Sequence, residues 1–226
     1  MKLLAIDTSE DACSAALLID DLVTERFELA PRRHTELILP MMDGLLENAG
    51  LGLAELDALA FGRGPGSFTG VRIAASIIQG AALGAGLPVV PVSSLQALAQ
   101  GTCREYGATR VLSALDARMH EVYWGAYRID AGGIMRSLID ERVCAPTEVP
   151  VPDGDDWAAA GSGWSSYGEV LVSRCIVDGV VQGDARVHAQ DVALIAGALF
   201  AEGQVVTAEQ ALPVYLRDEV AWVKQS

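Results

Sequence analysis

A glycine-rich segment at residues 60–72 limits the folds open to this chain more than any other part of its sequence. It places Gly62, Gly64, Gly66 and Gly70 between a short apolar run and a long apolar stretch. Glycine lets backbone pass close to backbone or ligand, and a strand–loop–helix unit can present helix N-terminal N–H groups to an anion. The spacing matches neither the dinucleotide motif nor the phosphate loop that ends in Gly-Lys-Ser/Thr. The simpler interpretation is a tight turn that packs a helix on a sheet.

The composition is typical of a folded, acidic protein. Of the 226 residues, 51% are hydrophobic, and the net charge is −14. A surface of this charge repels phosphate backbones, so the chain lacks the electrostatic footprint of a nucleic-acid-binding protein. The four cysteines lie far apart, which favours reduced thiols in a cytoplasm over a zinc site or a disulfide framework.

We expect neither an export signal nor a membrane span. An acidic residue at position 7 comes too early for the apolar core of a signal peptide. The uncharged run at residues 73–103 is divided by glycine and proline into pieces shorter than the roughly 20 residues of a span. This run is therefore predicted to be buried core.

The hydrophobic pattern predicts two related halves, a domain at residues 1–106 and a shortened second domain at residues 107–226. The first half has the order βββαβαβα. Its predicted strands are 2–7, 13–19, 22–29, 56–61 and 87–92, and its helices are 35–48, 69–84 and 94–105. The second half restarts with strands near 110–115, 121–130 and 133–143, and one helix follows at about 188–202. An aspartate ends the first strand of each half, which supports an internal duplication.

Few residues indicate catalysis. None of the three histidines has a second histidine at helical spacing, so no metal-binding helix is predicted, and no G-x-S-x-G motif is present. Ser67 is expected to cap the helix that follows it. Asp7 and Asp116 are the best acidic candidates, because a carboxylate at a strand end can orient water or a metal-bound phosphate. Each can equally cap its own turn. Arg63 and Arg72 flank the glycines, either to neutralise an anion or as solvated charges.

Two predicted helices carry more apolar surface than one sheet can cover. The helix at 35–48 has two neighbouring apolar stripes, and the helix at 69–84 is apolar almost all round. Such helices must be covered on every side, by the chain's own layers or by a partner. The candidate partner-contact residues are Leu37, Met41, Met42, Leu45, Val71, Ala74, Ile77, Ile78 and Ala81.

Four segments, at residues 3–9, 33–40, 62–72 and 215–217, resemble the TsaB (YeaZ) family in sequence and order. The resemblance implies an α/β fold of the actin/hexokinase-like (ASKHA) type, built from two ribonuclease H-like halves with a reduced second half. It also implies a cytoplasmic role in forming threonylcarbamoyladenosine in tRNA.

In that family the chain would be a non-catalytic partner of TsaD, the paralogous ATP-dependent metalloenzyme, with TsaE as an associated ATPase. TsaD transfers threonylcarbamoyl from an adenylate to N6 of adenosine 37 in tRNAs that read ANN codons. Where TsaD has its H-x-x-x-H metal motif, residues 93–98 read Ser-Ser-Leu-Gln-Ala-Leu. Residues 116–120, which correspond to its second phosphate-binding segment, contain no glycine. The resemblance therefore implies no catalytic residues, metal or cofactor of its own.

The same resemblance implies how the chain assembles. The helices at 35–48 and 70–84 would form a helical bundle with TsaD, and the same face would form a homodimer when TsaD is absent. Contact with tRNA would be indirect, through the complex, and no membrane contact is expected.

Two enzymatic alternatives stay open. A residual ATP-binding site or ATPase would use a vestigial phosphate site formed by Asp7, Thr8, Gly64, Gly66 and Ser67. A peptidase is the weaker alternative, since no nucleophile–base pair is evident and His34 would have to act alone.

Overall fold

The structure, a computed structural model, describes residues 1–217, so the end of the predicted second domain, residues 218–226, lies outside the described residues. It contains two mixed β-sheets. The strands of the first are β1 (Lys2–Asp7), β2 (Ala12–Ile19), β3 (Leu22–Leu29), β4 (Ala58–Gly64) and β5 (Val89–Ser93). The strands of the second are β6 (Arg110–Arg118), β7 (Glu121–Ile129), β8 (Met135–Ser137), β9 (Arg142–Cys144), β10 (Ala158–Ala160) and β11 (Val181–Gln182).

Five helices flank these sheets. They are α1 (His34–Ala49), α2 (Phe68–Ala85), α3 (Ser94–Tyr106), α4 (Ser162–Arg174) and α5 (Ala189–Ala201). The first three each end at a glycine in the left-handed conformation: Gly50, Gly86 and Gly107 have φ of 65°, 68° and 70°. A side chain is strained at such a φ, so these glycines terminate the helices where the sequence pattern placed their ends.

The two sheets share one topology. The first has the order β3-β2-β1-β4-β5, with β1 antiparallel to β2 and parallel to β4. The second has the order β11-β10-β6-β7-β8, with β6 antiparallel to β7 and parallel to β10, and β9 pairs with β7. Strand β6 therefore occupies the position of β1, and Asp116 that of Asp7. Between β9 and β10 a short 3-10 helix stands where α1 follows β3, so within the described residues the second half has no counterpart of α1.

The helices lie in three layers, which the two sheets separate. Helices α1 and α2 cover one face of the first sheet, and α4 covers one face of the second. Helices α3 and α5 lie between the two sheets, in a shared apolar core. Because α5 follows residue 107 yet packs on β1 and β2, a boundary at 106/107 separates the sheets but divides this middle layer. The two-domain division therefore stays a prediction.

Part of the secondary structure predicted for the second half is wrong. The single strand expected at 133–143 is two short strands, β8 and β9, and the pattern missed β10, α4 and β11. Strand β10 consists of three alanines, and α4 is bent at Tyr167, which has non-helical backbone angles. Neither element has the apolar periodicity that identifies a strand or helix.

Helix α2 has the length and apolar composition of a membrane span, alone among the described helices. Its residues Ala74, Ala75, Ile78 and Ala82 are nevertheless buried against the first sheet. The core helix of a globular protein has the same composition.

Candidate functional site

Asp7 lies at the carboxyl end of β1 and is 1% exposed. Its Oδ1 accepts hydrogen bonds from the Ser9 N–H at 2.9 Å and from the Ser9 hydroxyl at 2.8 Å, so the carboxylate caps its own turn. Its Oδ2 has no hydrogen-bond partner among the described residues. Burial raises the pKa of Asp7 to about 6, although the bonds from Ser9 act in the opposite direction. Gly62 is required here, because a Cβ atom at that position would lie 1.8 Å from Oδ2.

The glycine-rich turn is packed against the chain's own backbone. A Cβ atom at Gly66 would lie 2.5 Å from the carbonyl oxygen of Ser9, and one at Gly70 would lie 1.9 Å from that of Thr8. The Thr8 hydroxyl donates to the Gly70 carbonyl at 2.7 Å, and the Ser67 N–H donates to the Ser9 carbonyl at 2.7 Å. The glycines therefore allow the β1–β2 turn to approach the start of α2, as the simpler interpretation predicted.

The start of α2 is capped as predicted. The Ser67 hydroxyl accepts a hydrogen bond from the Gly70 N–H at 3.4 Å. Of the five residues predicted to form a vestigial phosphate site, Ser67 is thus used as a cap, and Thr8 is buried with its hydroxyl bonded inside the chain. The structure brings Asp7, Thr8, Gly66 and Ser67 to one turn.

The carboxyl-terminal segment closes the other side of this turn. The Val214 N–H donates to the Arg63 carbonyl at 2.8 Å, and a Cβ atom at Gly64, whose φ is 100°, would lie 3.0 Å from the Val214 carbonyl oxygen. The Arg72 guanidinium carbon lies 3.3 Å from the centroid of the Phe68 ring, and its Nε donates to the Tyr215 hydroxyl at 2.7 Å. Arg72 is therefore held by two aromatic side chains, which its sequence position did not reveal.

A polar seam joins the β1–β2 turn to the second half. The Ser162 hydroxyl donates to Oε1 of Glu10 at 3.0 Å, and the Arg186 Nε donates to Asp11 at 2.6 Å. Burial raises the pKa of Glu10 to about 7, while the charge of Arg186 lowers it. Sequence reasoning missed this seam, since its members lie far apart along the chain and none belongs to a motif.

Asp116, His34 and His188 are used in local or structural contacts. Oδ1 of Asp116 accepts from the Arg118 N–H at 2.8 Å, so this aspartate also caps its own turn. A ring nitrogen of His34 lies 3.1 Å from the Ala12 carbonyl oxygen, and one of His188 lies 2.9 Å from Glu25. Within residues 1–217 no cluster of three histidine, cysteine or acidic residues has the geometry of a metal site.

Six of the nine residues predicted to contact a partner are buried in the chain's own core. They are Met41, Met42, Leu45, Val71, Ala74 and Ile78. Leu37, Ile77 and Ala81 are partly exposed and pack at the edge of the same cluster. The first sheet thus covers more of α1 and α2 than the pattern predicted, and any partner contact is limited to their outer faces.

The outer face of α2 includes an exposed leucine and two exposed glycines near the end of the helix. Leu83 is 70% exposed on α2, and Leu39 is 49% exposed on the neighbouring α1. Gly80 and Gly84 of α2 face open space, since a Cβ atom at either would meet no atom of the described residues within 4 Å. The fold itself therefore does not require these glycines.

Comparison with known proteins gives concordant matches. The family model described as TsaD, tRNA N6-adenosine threonylcarbamoyltransferase, matches residues 27–224. The tRNA threonylcarbamoyladenosine biosynthesis protein TsaB of Escherichia coli (strain K12) is 48% identical over 229 residues, with 99% of this chain and 98% of that protein covered. The protein of the same name from Haemophilus influenzae is 42% identical over 232 residues, with 99% and 97% covered.

Solved structures agree with the sequence matches. YeaZ from Pseudomonas aeruginosa superposes with a TM-score of 0.88 at 47% identity, covering 95% of this chain and 99% of that one. A second Pseudomonas aeruginosa structure, of an uncharacterized protein with similarity to peptidase YeaZ, has a TM-score of 0.89 at 47% identity, covering 96% and 99%.

Proposed function

Because the chain belongs to the TsaB (YeaZ) family of tRNA threonylcarbamoyladenosine biosynthesis proteins and has their actin/hexokinase-like α/β fold, we propose that it is a non-catalytic partner of TsaD. Together with TsaE it would support formation of N6-threonylcarbamoyladenosine at position 37 of tRNAs that read ANN codons. We place it in the cytoplasm, where these tRNAs are modified.

The observation that carries this proposal is the internal packing of the glycine-rich turn. A phosphate loop needs free N–H and hydroxyl groups around an open cradle. Here the Ser67 N–H and the Thr8 hydroxyl bond to carbonyl oxygens of the chain, and the backbone of the β1–β2 turn lies against Gly66 and Gly70. A phosphate at this turn would have to displace those contacts.

The start of α3 supports the same conclusion. Residues 93–98 stand where the paralogous TsaD has its metal-binding histidines. The Ser93 hydroxyl accepts from the Gln96 N–H at 3.3 Å, and the Gln96 side chain donates to the Met135 carbonyl at 2.7 Å. These side chains cap a helix and link it to β8, which are structural roles.

The outer face of α1 and α2 is the proposed contact for TsaD, and for a second copy when TsaD is absent. A helix-interior glycine destabilises a helix by about 0.5–1 kcal/mol relative to alanine. Gly80 and Gly84 carry that cost with open space beside them, which favours a role in close approach of a partner helix. Leu39 on α1 and Leu83 on α2 are exposed and would supply the apolar contact.

Contact with tRNA would be made mainly by other subunits. The net charge of −14 opposes association with a phosphate backbone, and no basic cluster lies along the glycine-rich turn. Arg72, which could have served there, is stacked on Phe68 and bonded to Tyr215.

A residual nucleotide-binding activity is the second candidate, and Asp7 is the observation that favours it. Its Oδ2 is buried at a strand end with no partner in residues 1–217, and buried unpaired carboxylates with raised pKa values concentrate at functional sites. A peptidase has no such support, because the His34 ring is buried and bonded to a backbone carbonyl.

Equilibrium binding separates the two candidates. The isolated chain is titrated with ATP and Mg²⁺ and, separately, with TsaD, by calorimetry. We expect no saturable nucleotide binding and a stable complex with TsaD. Nucleotide binding that is lost in Asp7→Asn, together with no affinity for TsaD, would replace the partner proposal with the enzymatic one.

A further inference from the structure

A cavity of about 340 Å³ is lined by Arg63, the residue between two of the glycines of β4. It forms where β4, β5 and the start of α3 meet the second sheet and the carboxyl-terminal segment. Its walls are Arg63, Ser93, Gln96, Tyr127, Ser137, Ile139, Asp140, Glu141, Val214 and Leu216. Cavities of roughly 300–1,000 Å³ with a few convergent polar groups are the usual size for small-molecule sites.

One end of this cavity, which we call the β4–β7 cavity, is cationic. Arg63 is partly exposed and makes no ion pair within residues 1–217. Beside it, Ser93 and Gln96 belong to the first turn of α3, where the helix dipole adds positive potential. This end therefore suits a carboxylate.

The other end of the β4–β7 cavity is acidic and held in place. Glu141 and the exposed Asp140 line it, and the Tyr127 hydroxyl donates to Oε1 of Glu141 at 2.5 Å. Tyr127 is 0% exposed, so its ring fixes the position of that carboxylate. Burial, with Glu141, raises the pKa of Tyr127 well above its ordinary value, so it stays a donor at neutral pH, while the charge of Arg63 acts in the opposite direction.

The two ends are close but do not neutralise each other. Arg63 and Glu141 line the same cavity, yet no nitrogen of Arg63 lies within 4.0 Å of a Glu141 oxygen. A small ligand with one charge would meet a repulsive group at the opposite end. A ligand that carries an ammonium and a carboxylate on one carbon would satisfy both groups together, and apolar Ile139, Val214 and Leu216 remain for its side chain.

We propose that the β4–β7 cavity binds a free α-amino acid with an uncharged side chain. Its carboxylate would pair with Arg63, its ammonium with Glu141 and Asp140, and its side chain would lie against the apolar wall. This site is separate from the face proposed for TsaD, so it can be tested independently of the proposed function.

Calorimetric titration of the full chain with four probes tests the proposal: L-leucine, glycine, L-leucinamide and N-acetyl-L-leucine. L-leucinamide lacks the carboxylate, and N-acetyl-L-leucine lacks the ammonium. We expect saturable binding of L-leucine that is weakened at least about tenfold by either modification, a loss of roughly 1.4 kcal/mol. Glycine should also bind more weakly than L-leucine, because it leaves the apolar wall uncovered.

Variants locate the binding. Arg63→Gln and Glu141→Gln should each weaken L-leucine binding at least about tenfold. The matched controls Arg128→Gln and Glu47→Gln, at exposed positions outside the cavity, should leave it unchanged. Asp140→Asn, at an exposed position, gives a second acidic variant should Glu141→Gln lower the melting temperature. The proposal would be overturned by no saturable binding of L-leucine up to about 10 mM, by binding of both modified probes as tight as that of L-leucine, or by equal losses in the control variants.

Discussion

Replacing Gly80 with leucine should stabilise the isolated chain while weakening its complex with TsaD. Gly80 lies in the interior of α2, and a Cβ atom there would meet no atom within 4 Å. Leucine has nearly the helix propensity of alanine, and glycine is about 0.5–1 kcal/mol worse in a helix interior. The variant should therefore gain about that much unfolding free energy, measured by urea denaturation with an unchanged slope.

In the complex the same side chain would occupy space that a partner helix needs. Overpacking a close contact costs about 1–3 kcal/mol, so the dissociation constant for TsaD should rise about 5- to 150-fold. Calorimetric titration of TsaD measures this, with Val172→Leu on the exposed side of α4 as a control that should bind normally. A variant that gains stability and keeps its full affinity for TsaD would refute the reasoning that glycines here serve a partner.

Three further variants test individual residues. Leu45→Asp should unfold the chain, because this side chain is 2% exposed and a buried carboxylate costs several kcal/mol. Ile77→Asp, at the edge of the core, should fold and lose affinity for TsaD. Circular dichroism measures the folding of both variants, and titration measures the affinity for TsaD. Asp116→Ala loses a turn-capping bond to Arg118, about 1 kcal/mol of stability, and should keep modification by the complex within about tenfold of wild type; a larger loss would indicate a role in catalysis. Asp7→Asn tests pH dependence: a folded pKa of about 6 exceeds the unfolded value of 3.8, so the folded state binds more protons and wild-type stability falls by about 2 kcal/mol as pH rises from 4 to 6. The variant should lack that fall in stability. If the unfolding free energies of wild type and Asp7→Asn changed in parallel with pH, the assignment of the fall to Asp7 would be contradicted.

Most of the first half could be predicted from its sequence, because local signals there agree with the fold. Strand β1 is a continuous apolar run that ends at Asp7, and α1, α2 and α3 stop at glycines that the left-handed conformation requires. The resemblance to a known family added the fold type, and the matches to TsaB proteins confirmed it.

Apolar periodicity could not predict which surface packs against the apolar stripes of α1 and α2. The pattern identified Met42, Leu45 and Ile78 as apolar stripes, but it cannot say whether a sheet of the same chain or a partner covers them. The structure shows that the first sheet does, and that Leu39, Gly80, Leu83 and Gly84 are among the residues left exposed. Solvent exposure of single residues depends on packing across the whole chain.

The polar seam and the β4–β7 cavity could not be predicted from the sequence, for a related reason. Glu10 and Ser162 are bonded across 152 residues of sequence, and Arg63 faces Tyr127 and Glu141 from a different sheet. Each contact depends on single residues brought together by the middle layer of α3 and α5. Such contacts leave no local pattern in the sequence.

The most direct test of the partner proposal is reconstituted tRNA modification with TsaD, TsaE and the threonylcarbamoyl-adenylate donor, with product measured by mass spectrometry. Four reactions are compared: no chain, wild type, Asp7→Asn and Gly80→Leu. The account predicts that product requires the chain, that Asp7→Asn supports the wild-type rate, and that Gly80→Leu reduces it at concentrations below its raised dissociation constant. The account would be contradicted if Asp7→Asn abolished product while Gly80→Leu supported the wild-type rate. The chain would then act through its buried carboxylate and not through its outer helical face.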